Sequence, residues 1–255
     1  MLTSSAPNLL LSVLSPSVRD SLLSRATPVE LPFGTILYRP GVTPKYAYFP
    51  LTGLASIVIE MQGGGSAEVN MTGSEGVVGA LHLLGSSPIP TLCTMQLAGA
   101  GLRIPYSHLQ AEFAASAELR HHILGFVQHH SACVSQIAAC NRLHSAEQRL
   151  VRWLLMAADK TGFDVLAFTH EYLAQLLATH RPTVSLAAGE LQNRGFIQYS
   201  RGVIRILDRA GLESAACGCY GVIHELDAAL YARETAAARQ EQPYFASSSG
   251  SSGIS

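Results

Sequence analysis

Residues 169–207, THEYLAQLLATHRPTVSLAAGELQNRGFIQYSRGVIRIL, decide the fold, because they spell two short helices and a hairpin in a fixed order. Thr169 is placed to cap the first helix by accepting a hydrogen bond from the amide of Tyr172 or its neighbour. Leu173, Leu176 and Leu177 form the inner face of that helix, and Ala174 is small enough for a second helix to cross closely. Ala178 to His180 makes the turn. Pro182 falls in the first turn of the second helix, where its missing amide proton costs no hydrogen bond. Val184, Ala187, Ala188 and Leu191 supply the inward stripe, and Gly195 ends the helix. Residues 196–199 and 203–207 then flank Ser200-Arg201-Gly202, a hairpin with glycine in its turn. Helix, turn, helix and wing in this order predict a winged helix whose second helix suits the major groove of DNA.

Position along the second helix sorts the side chains by expected role. His180, Arg181, Thr183, Ser185 and Leu186 lie at its outward N-terminal end, where base edges are reached. Arg181 is the expected bidentate reader of guanine, worth about 1–3 kcal/mol of discrimination. Thr169, Gln192, Arg194 and Arg201 are expected on the phosphate backbone, where contacts give affinity and salt dependence but little sequence information. Charge agrees with this placement. The whole chain carries a formal net charge of -1, yet residues 181–205 hold four arginines against one carboxylate.

Working outward, Ser145 can cap a helix running to Thr161, with Gly162 at its left-handed end. Before it, Asn141 to His144 reads as a break. Leu119, Ile123, Phe126, His130, Cys133, Ile137 and Cys140 repeat at 4-3-4-3-4-3 spacing, the pattern of a coiled-coil seam. An overlapping stripe of Ile123, Val127, His130, Val134 and Ile137 fits almost as well. Homodimerisation through this helix is the expectation, and a purely intramolecular core helix is the alternative. His130 falls on both stripes, which would make such a dimer sensitive to pH.

From residue 33 to 105 the texture changes to short β-rich runs, TILY, YAYF, LASIVIEM, AEVNM, TLCTMQL and LRI, separated by glycine and proline turns. Such runs predict a small barrel or roll. Residues 9–26 predict a short helical cover, with Ser15 and Pro16 opening its second helix. The fold class expected is therefore α+β: a double-stranded β-roll over 1–118, a dimerisation helix over 119–141, and a winged helix-turn-helix over 142–213. A helical extension with an unfolded tail, ASSSGSSGIS, is expected over 214–255.

Composition narrows the setting. Apolar residues at 48% and charged ones at 14% describe a compact protein of about two domains. Neither a signal peptide nor a membrane-spanning run is visible, so the cytoplasm is the expected location. The five cysteines are odd in number and widely spaced, which suits a reducing compartment rather than a disulfide framework. No metal site and no cofactor are expected. His129 and Cys133 sit at i, i+4, but His121 and His122 are two turns away, and Cys217-Gly-Cys219 receives no role. An enzyme is not expected: a cupin-like centre needs clustered ligands, and only His82 and His108 fall in the strand region.

A β-roll, a seam helix and a winged helix in this order resemble the Crp/Fnr family of bacterial regulators, over about residues 30–210. The segment TVSLAAGELQNRGFIQYSRGVIRILD carries the most specific part of the likeness. The resemblance implies a homodimer on a two-fold symmetric operator in double-stranded DNA, with RNA polymerase as a further partner and no membrane. It also implies a signal that re-aims the winged helix about the break at Asn141 to His144. A regulatory β-roll protein contacting a protein partner through its winged helix is the alternative. The sensor half departs from the family. Cyclic-nucleotide-binding members carry a glycine-glutamate pair and a later arginine on the phosphate, whereas here Gly79 is followed by Ala80 and nothing from Ala47 to Leu102 is basic. A buried phosphate without a cation is costly, so neither cyclic AMP nor cyclic GMP is expected to bind in that way. Ligand spacing for an iron-sulfur cluster is missing, and a haem would rest on a lone histidine such as His82.

Overall fold

In the computed structural model, residues 8–232 are described. The tail 246–255, expected to be unfolded, lies outside the described residues. The chain opens with α1 (Leu9–Ser12), capped by Asn8, and α2 (Pro16–Leu23), begun by its proline. The roll follows: β1 (Thr27–Leu31), β2 (Ile36–Tyr38), β3 (Tyr46–Pro50), β4 (Leu54–Glu60), β5 (Ser66–Thr72), a single 3₁₀ turn at Ala80–Leu83, β6 (Leu92–Leu97) and β7 (Gly99–Pro105). The strands form two antiparallel sheets, ordered β1-β7-β3 and β2-β6-β4-β5. Six of the strands coincide with the short runs read from sequence. β1 does not, because TPVEL carries a proline; it pairs with β7 alone, and an edge position tolerates that residue.

Helix α3 (Tyr106–Ala115) leads into the long α4 (Ala117–Leu143), with Ser116 capping the second through the Leu119 amide. The expected break follows at His144. α5 (Ala146–Thr161) starts in a full capping box between Ser145 and Gln148 and stops at Gly162 with φ 71°. Next come β8 (Val165–Ala167), α6 (His170–Leu176), α7 (Arg181–Asn193), β9 (Ile197–Ser200) and β10 (Val203–Ile206). The three strands form one small sheet, β8-β10-β9. Arg201 and Gly202 both have positive φ, 49° and 78°, which gives the wing a tight two-residue turn of the kind that matches strand twist. Finally α8 (Arg209–Ala215) and α9 (Gly218–Ala229) carry the chain back to α4. The α+β class with roll, long helix and winged helix-turn-helix is as the sequence indicated.

The stripe on α4 needs correcting. Leu119, Ile123, Phe126, His130, Cys133 and Ile137 are all buried within a single chain. Leu119, Ile123 and Phe126 pack with Phe49, Val77 and Ile104 of the roll, while Cys133 and Ile137 join the apolar cluster that also holds the winged-helix core. The periodicity reports a core face whose partners are the roll, α5 and α9. The open face of α4 lies opposite, at Leu124, Gln128, Ser131, Ser135, Ala138 and Arg142, also at heptad spacing.

The winged helix and the roll share one packed body. Leu54 and Met71 of the roll lie in the same cluster as Trp153, Phe168, Leu173 and Leu191. Across that junction the Trp153 indole donates to Glu68 Oε1 at 2.6 Å, and Phe33 meets Tyr172 edge to face at 5.7 Å. Among the described residues no helix is long and apolar enough to cross a membrane.

Candidate nucleic-acid interface

The inner faces of α6 and α7 are formed as the sequence indicated. Leu173, Ala174 and Leu176 meet Val184, Ala187, Ala188 and Leu191, all buried. The turn between the helices passes through Ala178 at φ 47°, a left-handed position filled without glycine. What remains outward on α7 is a short polar surface at its N-terminal end. His180 and Arg181 are exposed and Leu186 is 73% exposed, while Thr183 is half-buried. Ser185 Oγ lies 3.0 Å from His170 Nδ1, and the His170 ring stacks on Tyr199 with centroids 3.9 Å apart. Burial and then the Arg181 charge push the His170 pKa below its usual value, which keeps that imidazole neutral beside the arginine.

The four side chains assigned to the backbone divide into two kinds. Arg201 is exposed at the wing tip, and Arg205 stands exposed on the adjacent strand. The others hold the domain together. Thr169 Oγ1 accepts from the Tyr172 amide at 3.2 Å, as an N-cap. Gln192 Oε1 accepts from the Tyr199 amide at 2.8 Å and ties α7 to the wing. Arg194 pairs with Glu147 at 3.0 Å and lies over the Phe196 ring at 4.4 Å.

One feature was out of reach of the sequence. The start of α7 borders a groove of about 450 Å³ whose other wall is the β4–β5 hairpin, including Met61, Gly64 and Ser66. The N-terminal end of α7 therefore faces its own roll. The contact arises because α6 packs on β5, and sequence periodicity carries no information about which sheet a helix will meet.

Inside the roll, the space beneath Gly79, Ala80 and His82 and beside Phe126 and His130 amounts to about 20 Å³. That is room for about one water molecule. Phe126 fills it: a Cβ built on Gly76 would sit 2.1 Å from the Phe126 ring. The titratable groups here are held neutral by burial. The His130 pKa is pushed down to about 4 by burial, with the neighbouring His129 and Lys160 adding to the shift. Burial likewise raises Tyr38 and lowers His82. At the junction with the winged helix, burial lifts Glu68 to about 7, although Ser56 Oγ and the Trp153 indole both donate to it.

His129 and Cys133, the i, i+4 pair, belong to an ion-pair network rather than standing alone. His129 Nε2 lies 2.9 Å from Asp227 of α9, and Lys160 Nζ reaches both Asp227 at 3.1 Å and Glu75 at 2.9 Å.

Residues 148–215 match the sequence pattern of the Crp-like helix-turn-helix domain. Solved structures share the wider fold. A transcriptional regulator described as of the Crp/Fnr family from Eubacterium rectale superposes with a TM-score of 0.65 at 18% identity, covering 81% of this chain and 96% of that one. FixK2 from Bradyrhizobium japonicum gives 0.63 at 15% identity, over 75% and 98% of the two chains. The c-di-GMP-responsive global regulator CLP of Xanthomonas campestris gives 0.62 at 18% identity, over 75% and 99%. No curated protein sequence matches the chain.

Proposed function

We propose, from a Crp-like helix-turn-helix domain set on the Crp/Fnr fold, that the chain is a sequence-specific DNA-binding transcription regulator acting as a homodimer on a two-fold symmetric operator. The observation that carries this reading is the outward N-terminal end of α7, where Arg181 stands exposed with His180 and Leu186 beside the half-buried Thr183 and Ser185, and the wing tip presents Arg201. In such a complex Arg181 reads a guanine edge and Arg201 holds a phosphate. Thr169, Gln192 and Arg194 would reach the backbone only by giving up or sharing the contacts that fix the domain. The open stripe on α4, Leu124 to Arg142, is the face left for a twin helix. RNA polymerase is the further partner that a regulator of this kind would contact from the bound operator. The signal is not a cyclic nucleotide held in the roll, since about 20 Å³ without a basic residue cannot take a phosphate. The cytoplasm is the compartment in which this function would operate.

Titration of the dimer with random duplex DNA across a salt series tests the proposal. Binding should weaken steeply with salt, because phosphate contacts release counterions. Arg201→Ala should lower affinity for all sequences and reduce the salt slope by about 1 per protomer, about 2 for the dimer, whereas Arg181→Ala should relax sequence preference by about 1–3 kcal/mol at one position of each half-site. An intact dimer that shifts no duplex at low salt would overturn it and favour contact with a protein.

A further inference from the structure

The last turn of α4 and the first turn of α9 bring four soft donor groups into one cluster: Cys140, His144, Cys217 and Cys219. Their donor atoms all lie within 4.8 Å of one another. Cys140 Sγ is 3.6 Å from Cys217 Sγ, and Cys219 Sγ is 3.5 Å from His144 Nδ1. A tetrahedral ion with metal–sulfur bonds of about 2.3 Å and a metal–nitrogen bond of about 2.0 Å sets neighbouring sulfurs about 3.8 Å apart, and sulfur and nitrogen about 3.5 Å apart. The sulfur–sulfur distance of 3.6 Å and the sulfur–nitrogen distance of 3.5 Å fit such a shell. They are not those of a disulfide, which requires about 2.05 Å, and all five cysteines are free. Four donors this close also suit one ion better than a cluster of several irons, whose ligands are spread over different metals.

The surroundings enclose the sulfurs. The three cysteines are buried and form a small cluster of their own. The Gln136 side-chain amide donates to Cys219 Sγ at 3.1 Å, the type of outer contact that orients and steadies a ligating sulfur. Burial raises the Cys140 pKa, and the charge of Arg152, 3% exposed and with Nε unpartnered, offsets part of that rise. Three thiolates and a neutral imidazole on a divalent ion carry one net negative charge, which a guanidinium offsets.

We propose that Cys140, His144, Cys217 and Cys219 form a tetrahedral site for one zinc-type divalent cation. The ligand pairs bracket residues 145–216, and the helix-turn-helix match at 148–215 falls inside that bracket. The ion thus clasps the incoming and outgoing strands of the winged helix at one point. Closing so long a loop removes conformational freedom from the open chain. The other compact group of donors, His129, Cys133 and Asp227, already has its cation in Lys160. This assignment rests on the donor geometry alone and is independent of the DNA reading.

Titration of the full chain, reduced and stripped with a chelator, first with Co(II) and then with Zn(II), tests it. The expected result is uptake of one Co(II) per chain, with the intense visible bands of a tetrahedral ion and a sulfur-to-cobalt charge-transfer band, both abolished as Zn(II) displaces the cobalt. Cys217→Ser and His144→Ala should lose the charge-transfer band or shift it. Cys133→Ser should keep it unchanged. Gln136→Ala retains every ligand and so keeps the test valid where a cysteine variant fails to fold; its metal affinity should fall about 10- to 100-fold. A weak six-coordinate spectrum, a Cys217→Ser spectrum identical to that of the parent, unchanged affinity in Gln136→Ala, or loss of two thiols to a disulfide without metal uptake would each overturn the site.

Discussion

α4 meets the rest of the chain in opposite ways at its two ends. From Leu119 to Ile137 it fills space: Phe126 closes the interior of the roll, His130 is buried and neutral, and the remaining volume there is about 20 Å³. At Cys140 and His144 it does the reverse, turning soft, polarisable donors toward two more donors on α9. The space beneath Gly79 and Ala80 has little to offer a polar effector, because a ligand there would have to displace an aromatic ring and find its own counter-charge. The hinge end has donors already converged. Converged donors thus sit at the neck of the winged helix, and the roll is the body against which that domain packs.

The strongest test of the contrast is at the filled end. Phe126→Ala removes a ring that contacts Gly76 and lines the roll interior, and should cost about 4 kcal/mol by loss of burial and creation of a cavity. Urea unfolding of the parent and the variant measures this. A cost under about 1 kcal/mol would mean that the roll end is loosely packed, and the comparison with the hinge would fail.

Between the two ends lies the ion-pair network. Lys160 is almost fully buried, and the carboxylates of Glu75 and Asp227 raise its pKa against the lowering effect of burial. Asp227 in turn is held below its usual value, despite burial, by the His129 hydrogen bond and the Lys160 charge. This single ammonium ties the roll, α5 and α9. Lys160→Met leaves two facing carboxylates without their cation and should cost about 3 kcal/mol in thermal or urea unfolding. A neutral outcome would show that the network is hydrated and that α9 is held by its apolar face and the cysteine cluster.

How much of this was legible in the sequence depends on how local each signal is. The winged helix could be read because Thr169, Pro182, Gly195 and the Arg201-Gly202 turn act within a few residues of themselves. The strands of the roll were legible for the same reason, apart from β1, which a proline disguised. The stripe from Leu119 to Ile137 reads in sequence as a dimer seam and in the structure is buried within one chain, because periodicity names a face and never its partner. That partner includes α9, which returns from far along the chain. The cysteine cluster was illegible because Cys140 and Cys217 are 77 residues apart and only folding sets them at 3.6 Å. Likewise nothing local told that Gln192 and Arg194 would bond across the surface to Tyr199 and Glu147.

The smallest of these effects concerns the junction where roll and winged helix meet. Glu68 of β5, facing Ser56, Trp153, Tyr172 and Arg152, has a folded pKa raised to about 7, so it keeps its proton in the folded chain where the unfolded chain has lost it. Its contribution is fully present below the unfolded value of 4.5 and is lost as pH rises through 7. His130, lowered from 6.5 to about 4, acts in the other sense: its contribution is present above 6.5 and is lost as pH falls through 4. Between roughly pH 4.5 and 6.5 the two slopes oppose each other, each at most about 1.4 kcal/mol per pH unit. Glu68→Gln removes one of them. Stability of that variant should then rise more steeply with pH across this window than that of the parent, since His82 and His170, also lowered, act in the same sense as His130 in both chains. Chemical denaturation at a series of pH values reads both slopes. Parallel curves for parent and variant would show that Glu68 is ionised and solvated at the junction, and so that the winged helix sits less tightly on the roll than α4 does.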